Sequence, residues 1–141
     1  MFLLDTNVIS ELRRPDKADR NVVAWANAVP AVNFFMSVIS VLEIELGARL
    51  IERKDAAQGA VLRNWIDTQV LARFEGRILA IDIAVAQRCA QLHVPNPRSE
   101  RDALIAATAR VHGLTVVTRN VVDFESTGVL LLNPWGQRIS R

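Results

Sequence analysis

Phe2-Leu3-Leu4-Asp5-Thr6-Asn7 opens the chain with three apolar residues that do not alternate with polar ones, then turns polar at a single step. Leu114-Thr115-Val116-Val117 and Val129-Leu130-Leu131-Leu132 repeat the pattern near the other end. A strand with one wet face alternates, whereas a strand buried on both faces is a near-continuous apolar run, as in a parallel sheet covered by helices. Helix-period segments separate the runs, which leads to the same architecture by another route. The expectation is an α/β three-layer sandwich with a mainly parallel central sheet flanked by helices. In such sheets ligands bind beyond the carboxyl ends of the strands, where the strand order switches.

Working outward, strands are predicted at Phe2–Leu4, Phe34–Met36, Ile78–Ile81, Leu114–Thr118 and Val129–Leu132. Helical periodicity covers Asn21–Ala28, Ser40–Arg53 and Ala56–Ala72, with Gly59 a weak point in the last. Asp82 is placed to cap a helix over Ile83–Leu92. Pro95 and Pro97 interrupt the chain before a helix from about Asp102 to His112, and Gly113 stands at its C-cap. Trp25 and Trp65 read as core anchors. No repeat or low-complexity tract divides the sequence, so one domain is expected over residues 1–135, with a short tail over 136–141.

The 141 residues are 50% hydrophobic and 23% charged, which excludes a disordered or collagen-like chain. No apolar run reaches the ~18–20 residues that span a bilayer, and the N-terminus lacks signal-peptide features. Cys89 is the only cysteine, so neither an intrachain disulfide nor a multi-thiolate zinc site can form. A cytoplasmic protein is expected. Lys and Arg number 17, of which only Lys17 and Lys54 are Lys. Arg suits phosphates, but composition bias accounts for the excess equally well, so it permits a nucleic-acid substrate without arguing for one.

Four separated segments deliver polar groups to strand ends and helix starts. Asp5 follows the first strand, with Thr6 and Asn7 beside it; Asn120 and Asp123 follow another. Glu43 lies near the start of a helix, and Asp102 opens one rich in small residues, Ala103-Leu104-Ile105-Ala106-Ala107-Thr108-Ala109. Each acid has an ordinary structural use. Asp5 can cap a helix beginning near Val8, Ser40-Val41-Leu42-Glu43 matches a capping box, and Asn120 and Asp123 suit turns. Their number and common location carry the argument. Carboxylates held ~4 Å apart repel by roughly 4 kcal/mol at an effective dielectric of 20, a cost that a shared cation removes. His93 and His112 stand alone and are expected on helix surfaces, so the donor set is all oxygen, which suits Mg²⁺ or Mn²⁺. Acid-rich sites of that kind typically serve phosphoryl transfer.

Leu3-Leu4-Asp5-Thr6-Asn7-Val8-Ile9-Ser10-Glu11, Ser37-Val38-Ile39-Ser40-Val41-Leu42-Glu43, Asp102-Ala103-Leu104-Ile105-Ala106-Ala107-Thr108-Ala109 and Thr118-Arg119-Asn120-Val121-Val122-Asp123-Phe124 resemble, in order, the four signature blocks of PIN-domain ribonucleases. Asn133-Pro134-Trp135 is similar to the end of the VapC toxin subgroup. The resemblance implies a Mg²⁺- or Mn²⁺-dependent endoribonuclease toxin of a type II toxin–antitoxin pair. Its substrate would be tRNA or ribosomal RNA, its inhibitor a cognate VapB-type antitoxin, and its usual state a homodimer. Asp5 and Asp102 match the family's metal-binding aspartates, and Glu43 matches its third acid. The fourth position falls on Asn120 where relatives can carry Asp, and Asp123 lies one turn on, so either can complete the site. Thr6 and Thr118 match as polar supports of these ligands. The segment His93–Arg101 is shorter than the subgroup's, and Glu100 and Arg101 stand where many relatives are apolar.

The expected reaction is hydrolysis of an RNA phosphodiester by metal-activated water, with Arg98, Arg101 and Arg119 as candidates to hold flanking phosphates. Two other readings compete. A haloacid-dehalogenase-type phosphatase also begins with strand–Asp, but it needs a second Asp where this chain has Asn7. A non-catalytic PIN-like scaffold that binds RNA or protein draws support only from Asn120.

Overall fold

The computed structural model describes residues 1–136; of the expected tail over 136–141, residues 137–141 lie outside the described residues. Five strands, β1 (Phe2–Leu4), β2 (Phe34–Ser37), β3 (Ile78–Leu79), β4 (Thr115–Val117) and β5 (Leu131–Leu132), form one sheet in the order β3-β2-β1-β4-β5. Every neighbouring pair is parallel, with Leu4 opposite Val117 and Phe2 opposite Phe34. The sheet is therefore wholly rather than mainly parallel. From β1 the chain builds outward to β3 on one side, then returns to lay β4 against the other edge of β1. The switch in strand order thus falls between the carboxyl ends of β1 and β4.

Among the described residues, seven α-helices cover the sheet: α1 (Thr6–Glu11), α2 (Arg20–Asn27), α3 (Val38–Lys54), α4 (Ala56–Trp65), α5 (Ile83–Leu92), α6 (Glu100–His112) and α7 (Val121–Phe124). Successive β1 side chains point to opposite faces, so Leu4 enters a core with Val8, Trp25, Met36, Ile44, Leu62 and Val117 from the α1–α4 side. Leu3 enters the other, with Ile105, Ala106, Val116 and Phe124 from α6 and α7. Leu3, Val116 and Val117 have no exposed surface. Each such side chain contributes about 1.5–3 kcal/mol by leaving water, which accounts for the unbroken apolar runs. The small residues of α6 serve close approach, as Ala103, Ala106, Ala107 and Ala109 are all fully buried. Trp25 is buried, and Trp65 is half-buried against the α1–α4 core.

Several predicted boundaries move. β3, β4 and β5 are each shorter than their apolar runs, because pairing stops where the neighbouring strand ends. The segment expected as one helix over Ala56–Ala72 is α-helical to Trp65 and π-helical over Ile66–Leu71. Gly59 is not a weak point. A Cβ there would lie 2.8 Å from the Glu52 Cα, so Gly59 is what allows α4 to lie against α3. Asp82 caps α5 through Val85 N, and Gly113 ends α6 with φ at +68°. Among the described residues, no helix is long and apolar enough to cross a membrane.

Candidate active site

Asp5 directly follows β1 and caps α1, so the strand delivers its carboxylate to the switch point. Its backbone N–H still donates to Val117 O at 2.9 Å, as though the ladder ran one residue further. Oδ1 accepts from Thr6 N at 2.8 Å, and Oδ2 accepts from the Thr118 hydroxyl at 2.8 Å. The residue is 6% exposed. Burial pushes its carboxyl up to about 6, with the charges of Glu43 and Asp102 adding to the rise and the bonds from Thr118 and Thr6 opposing it.

Thr6 links Asp5 to the second acid. Its Oγ1 lies 2.5 Å from Glu43 Oε1 and 2.9 Å from Ser40 Oγ. A carboxylate only accepts and a hydroxyl carries one proton, so Thr6 donates to Glu43 and Ser40 approaches Thr6 as donor. The expected capping box is absent. α3 begins two residues earlier, with Ser37 as its cap accepting from Ile39 N at 2.9 Å. That leaves Ser40 buried beneath the site and Glu43 in the second turn, free to face Asp5. Glu45 points elsewhere, to a two-pronged pair with Arg63 at 2.7 and 2.9 Å.

Asp102 lies in the first turn of α6 rather than opening it, because Glu100 and Arg101 are already helical and Ser99 holds the cap position. Burial raises its carboxyl, and the charges of Asp123 and then Glu43 raise it further. Asp123 is exposed on α7. Asn120 stands at the cap position of α7 without a side-chain capping bond, and its backbone N–H donates to Thr118 Oγ1 at 2.9 Å. Thus the Asp5 carboxyl feels the charges of Glu43 and Asp102, and the Asp102 carboxyl those of Asp123 and Glu43, at one end of the sheet. They do not collapse to mutual ligand distance. Among the described residues, only Cys89, His93 and Glu100 have three ligand atoms within 4.8 Å of one another. Like charges without a cation between them are expected to stay apart.

The donor set fits a hard divalent ion. It is all oxygen, it is partly buried, and the carboxyl at its centre is held well above its ordinary value of 3.8 by burial first and by the charges of Glu43 and Asp102 after it. Cys89, His93 and Glu100 fit less well. His93 Nδ1 accepts from Arg98 N at 3.2 Å, which leaves the ring proton on Nε2, 3.3 Å from Glu100 Oε1. The imidazole then offers this cluster an N–H rather than a lone pair. His93 is accordingly neither alone nor on an open helix surface, because α5 and the start of α6 pack together there; His112 is exposed on α6.

Of the three candidate phosphate ligands, Arg98 is engaged elsewhere, with its Nε on Leu92 O at 3.0 Å and its Nη atoms on Glu125 O and Ser126 Oγ. Arg119 lies over the Trp135 ring, 5.2 Å from its centroid. Arg101 reaches towards Glu43. Two further residues hold the site together, Asn7, which the sequence places only beside Asp5, and Ser40, which it places as a helix cap. Asn7 donates to Asp5 Oδ2 and Thr118 Oγ1, both at 3.4 Å, and accepts from Arg119 N at 3.3 Å; it knits the ends of β1 and β4 together. An Asp-x-Asn spacing at a strand end was the available signal for Asn7, and Ser40 had none that set it apart from Ser37.

Known proteins resemble this chain over nearly its whole length. A sequence model of the PIN domain matches residues 2–129. Toxin FitB of Neisseria gonorrhoeae is 39% identical over 140 residues, covering 96% of this chain and 99% of FitB. The VapC ribonuclease Y4jK of Sinorhizobium fredii is 35% identical, covering 96% and 98%. Among solved structures, FitAcB from Neisseria gonorrhoeae superposes with a TM-score of 0.88 at 37% identity, covering 97% of this chain and all of that one. A toxin–antitoxin complex from Klebsiella pneumoniae gives 0.68 at 26% identity, covering 97% and all of that chain.

Proposed function

The chain belongs to the PIN-domain family, in the branch of the VapC and FitB toxins, and we propose that its ribonuclease chemistry is carried by Asp5, Glu43 and Asp102 around Mg²⁺ or Mn²⁺. It is a VapC-type endoribonuclease toxin, of the kind neutralised by an antitoxin. PIN nucleases are typically metal-dependent. The observation that supports these residues as ligands is the buried Asp5 carboxylate crowded by Glu43 and Asp102, an arrangement that a bound cation would stabilise at pH values where all three acids are ionised. A divalent ion bound there would lower the pKa of water and neutralise charge on the leaving oxygen of an RNA phosphodiester.

The chain's own residues do the positioning. Thr118 and Thr6 N orient the two Asp5 oxygens, and the Thr6 hydroxyl fixes Glu43. Asp102 enters from α6 to close the set. Asp123, coupled to Asp102, is the better candidate for the fourth group, since Asn120 carries no charge. The substrate on this reading is tRNA or ribosomal RNA, and the partner is a cognate VapB-type antitoxin acting on a homodimer in the cytoplasm.

Cleavage of total RNA in Mg²⁺ or Mn²⁺, with EDTA and Asp5→Asn controls, tests the assignment. Loss of cleavage in both controls is expected. Activity that survives both would overturn the role given to the acids.

A further inference from the structure

The cation nearest the acids is supplied by the chain itself. Arg101 Nη1 lies 3.8 Å from Glu43 Oε2, and among the described residues no other Lys or Arg comes within 4.0 Å of Asp5, Glu43, Asp102 or Asp123. The separation exceeds hydrogen-bond length, and the Arg101 side chain is 48% exposed. The guanidinium therefore faces the acids without being tied to them. Its neighbours in sequence and space are placed differently. Arg98 is spent on two backbone carbonyls and a hydroxyl, Arg110 on Thr127 O at 2.7 Å, and Arg119 on an aromatic face. Arg101 also sits next to Asp102 in the first turn of α6, so the helix that brings in an acid brings in this charge as well.

We propose that Arg101 is a phosphate-binding residue of the nuclease that pairs with Glu43 until metal and RNA arrive. The proposal rests on the assignment of Glu43 to the metal site made above. Before loading, Arg101 offsets the Glu43 carboxylate and so competes with the divalent ion. Once the ion takes over that carboxylate, the guanidinium is released. Its planar fork of donors then meets the phosphate of RNA bound beside the acids. A single side chain thus weakens metal binding in the free protein and strengthens RNA engagement in the loaded one. Those opposite signs separate this role from a structural one, which would lower both.

Calorimetric titration of Mn²⁺ into the RNA-free protein, paired with cleavage of total cellular RNA at saturating Mn²⁺ over a series of KCl concentrations, reads the two signs. Arg101→Met is expected to tighten Mn²⁺ binding by about tenfold, since it removes a like charge from the ion's surroundings. The same variant is expected to slow cleavage by about 10–100-fold and to reduce the salt slope of the cleavage efficiency by about one. Arg101→Lys keeps the charge but not the fork, so it should hold the wild-type Mn²⁺ affinity and recover part of the cleavage; its thermal unfolding in EDTA controls for folding. Unchanged or weakened Mn²⁺ binding in Arg101→Met, or cleavage with the wild-type rate and salt slope, overturns the proposal. A wild-type protein that neither binds Mn²⁺ nor cleaves RNA removes the nuclease assignment itself, and this role with it; a wild type that does both, beside an Arg101→Met that matches it in Mn²⁺ affinity, cleavage rate and salt slope, refutes only the role of Arg101.

Discussion

The Thr118 hydroxyl donates to Asp5 Oδ2 at 2.8 Å across 113 positions of sequence, bridging the ends of β1 and β4 where the strand order switches. Thr118 has no exposed surface, so water cannot replace it. The same oxygen accepts from Asn120 N and Asn7 Nδ2. One buried hydroxyl therefore organises the acid, the loop after β4 and the start of α1.

Thr118→Val keeps the volume and removes these bonds. Asp5 loses a contact that lowers its pKa, so its carboxyl should rise above about 6. Leaving a buried carboxylate and an amide under-satisfied costs about 1–3 kcal/mol each when unrelieved, and part of that should appear as a lower urea midpoint. The pH at which Mn²⁺ binding is half-maximal should move upward, as calorimetry at several pH values would detect.

The metal-free protein should become less stable as pH rises through the Asp5 titration. Its folded pKa, about 6, lies above the ordinary 3.8, so the folded state holds the proton more tightly. The associated stability is present below pH ~4 and is lost as pH climbs through ~6. Asp5→Asn removes this dependence. In EDTA at pH 7 it should be more stable than wild type by about 1–3 kcal/mol, because two pKa units correspond to roughly 3 kcal/mol and an amide forgoes some of the hydrogen bonding. Thermal melts of both proteins in EDTA from acid to neutral pH check the sign. Curves that run parallel would contradict it.

Two glutamates two positions apart should behave oppositely. Glu43→Gln should lower RNA cleavage by about 10²-fold or more and shrink the rise in melting temperature caused by Mn²⁺, since a ligand held only by the folded state stabilises it less when it binds more weakly. Glu45→Gln should leave both untouched. Arg63 holds the Glu45 carboxyl below its ordinary value through direct hydrogen bonds, but the pair is about one-third exposed. Its loss should therefore cost at most about 1 kcal/mol, and less in high salt.

Gly59→Ala should destabilise despite the helix propensity it adds. The new methyl would meet both Glu52 Cα and Cβ at 2.8 Å, and the first of these is backbone that cannot rotate away. Over-packing of this kind costs about 1–3 kcal/mol. A lower denaturant midpoint with an unchanged slope would mark it as a loss of native packing.

Local pattern alone was enough to read the fold class, to set Asp5 at the end of a buried strand and to set Asp102 near the start of a helix. A strand buried on both faces must be apolar throughout, and a helix packed close to a sheet must be small on one side; both demands are written in consecutive residues. The four blocks from Leu3 to Phe124 carried the family likeness in the same way. Contacts between distant segments left no such trace. Ser37 rather than Ser40 caps α3 because β2 runs one residue further than its apolar run, and that shift turns Ser40 inward and Glu43 towards Asp5. Arg98 is consumed by carbonyls near Leu92 and Glu125, while Arg101, three residues on, faces the acids. His93 meets Glu100 only because α5 and α6 pack together. Hydrogen bonds and ion pairs depend on separations of a few tenths of an ångström between side chains 34 to 113 positions apart, and those distances exist only once the strand order β3-β2-β1-β4-β5 has closed.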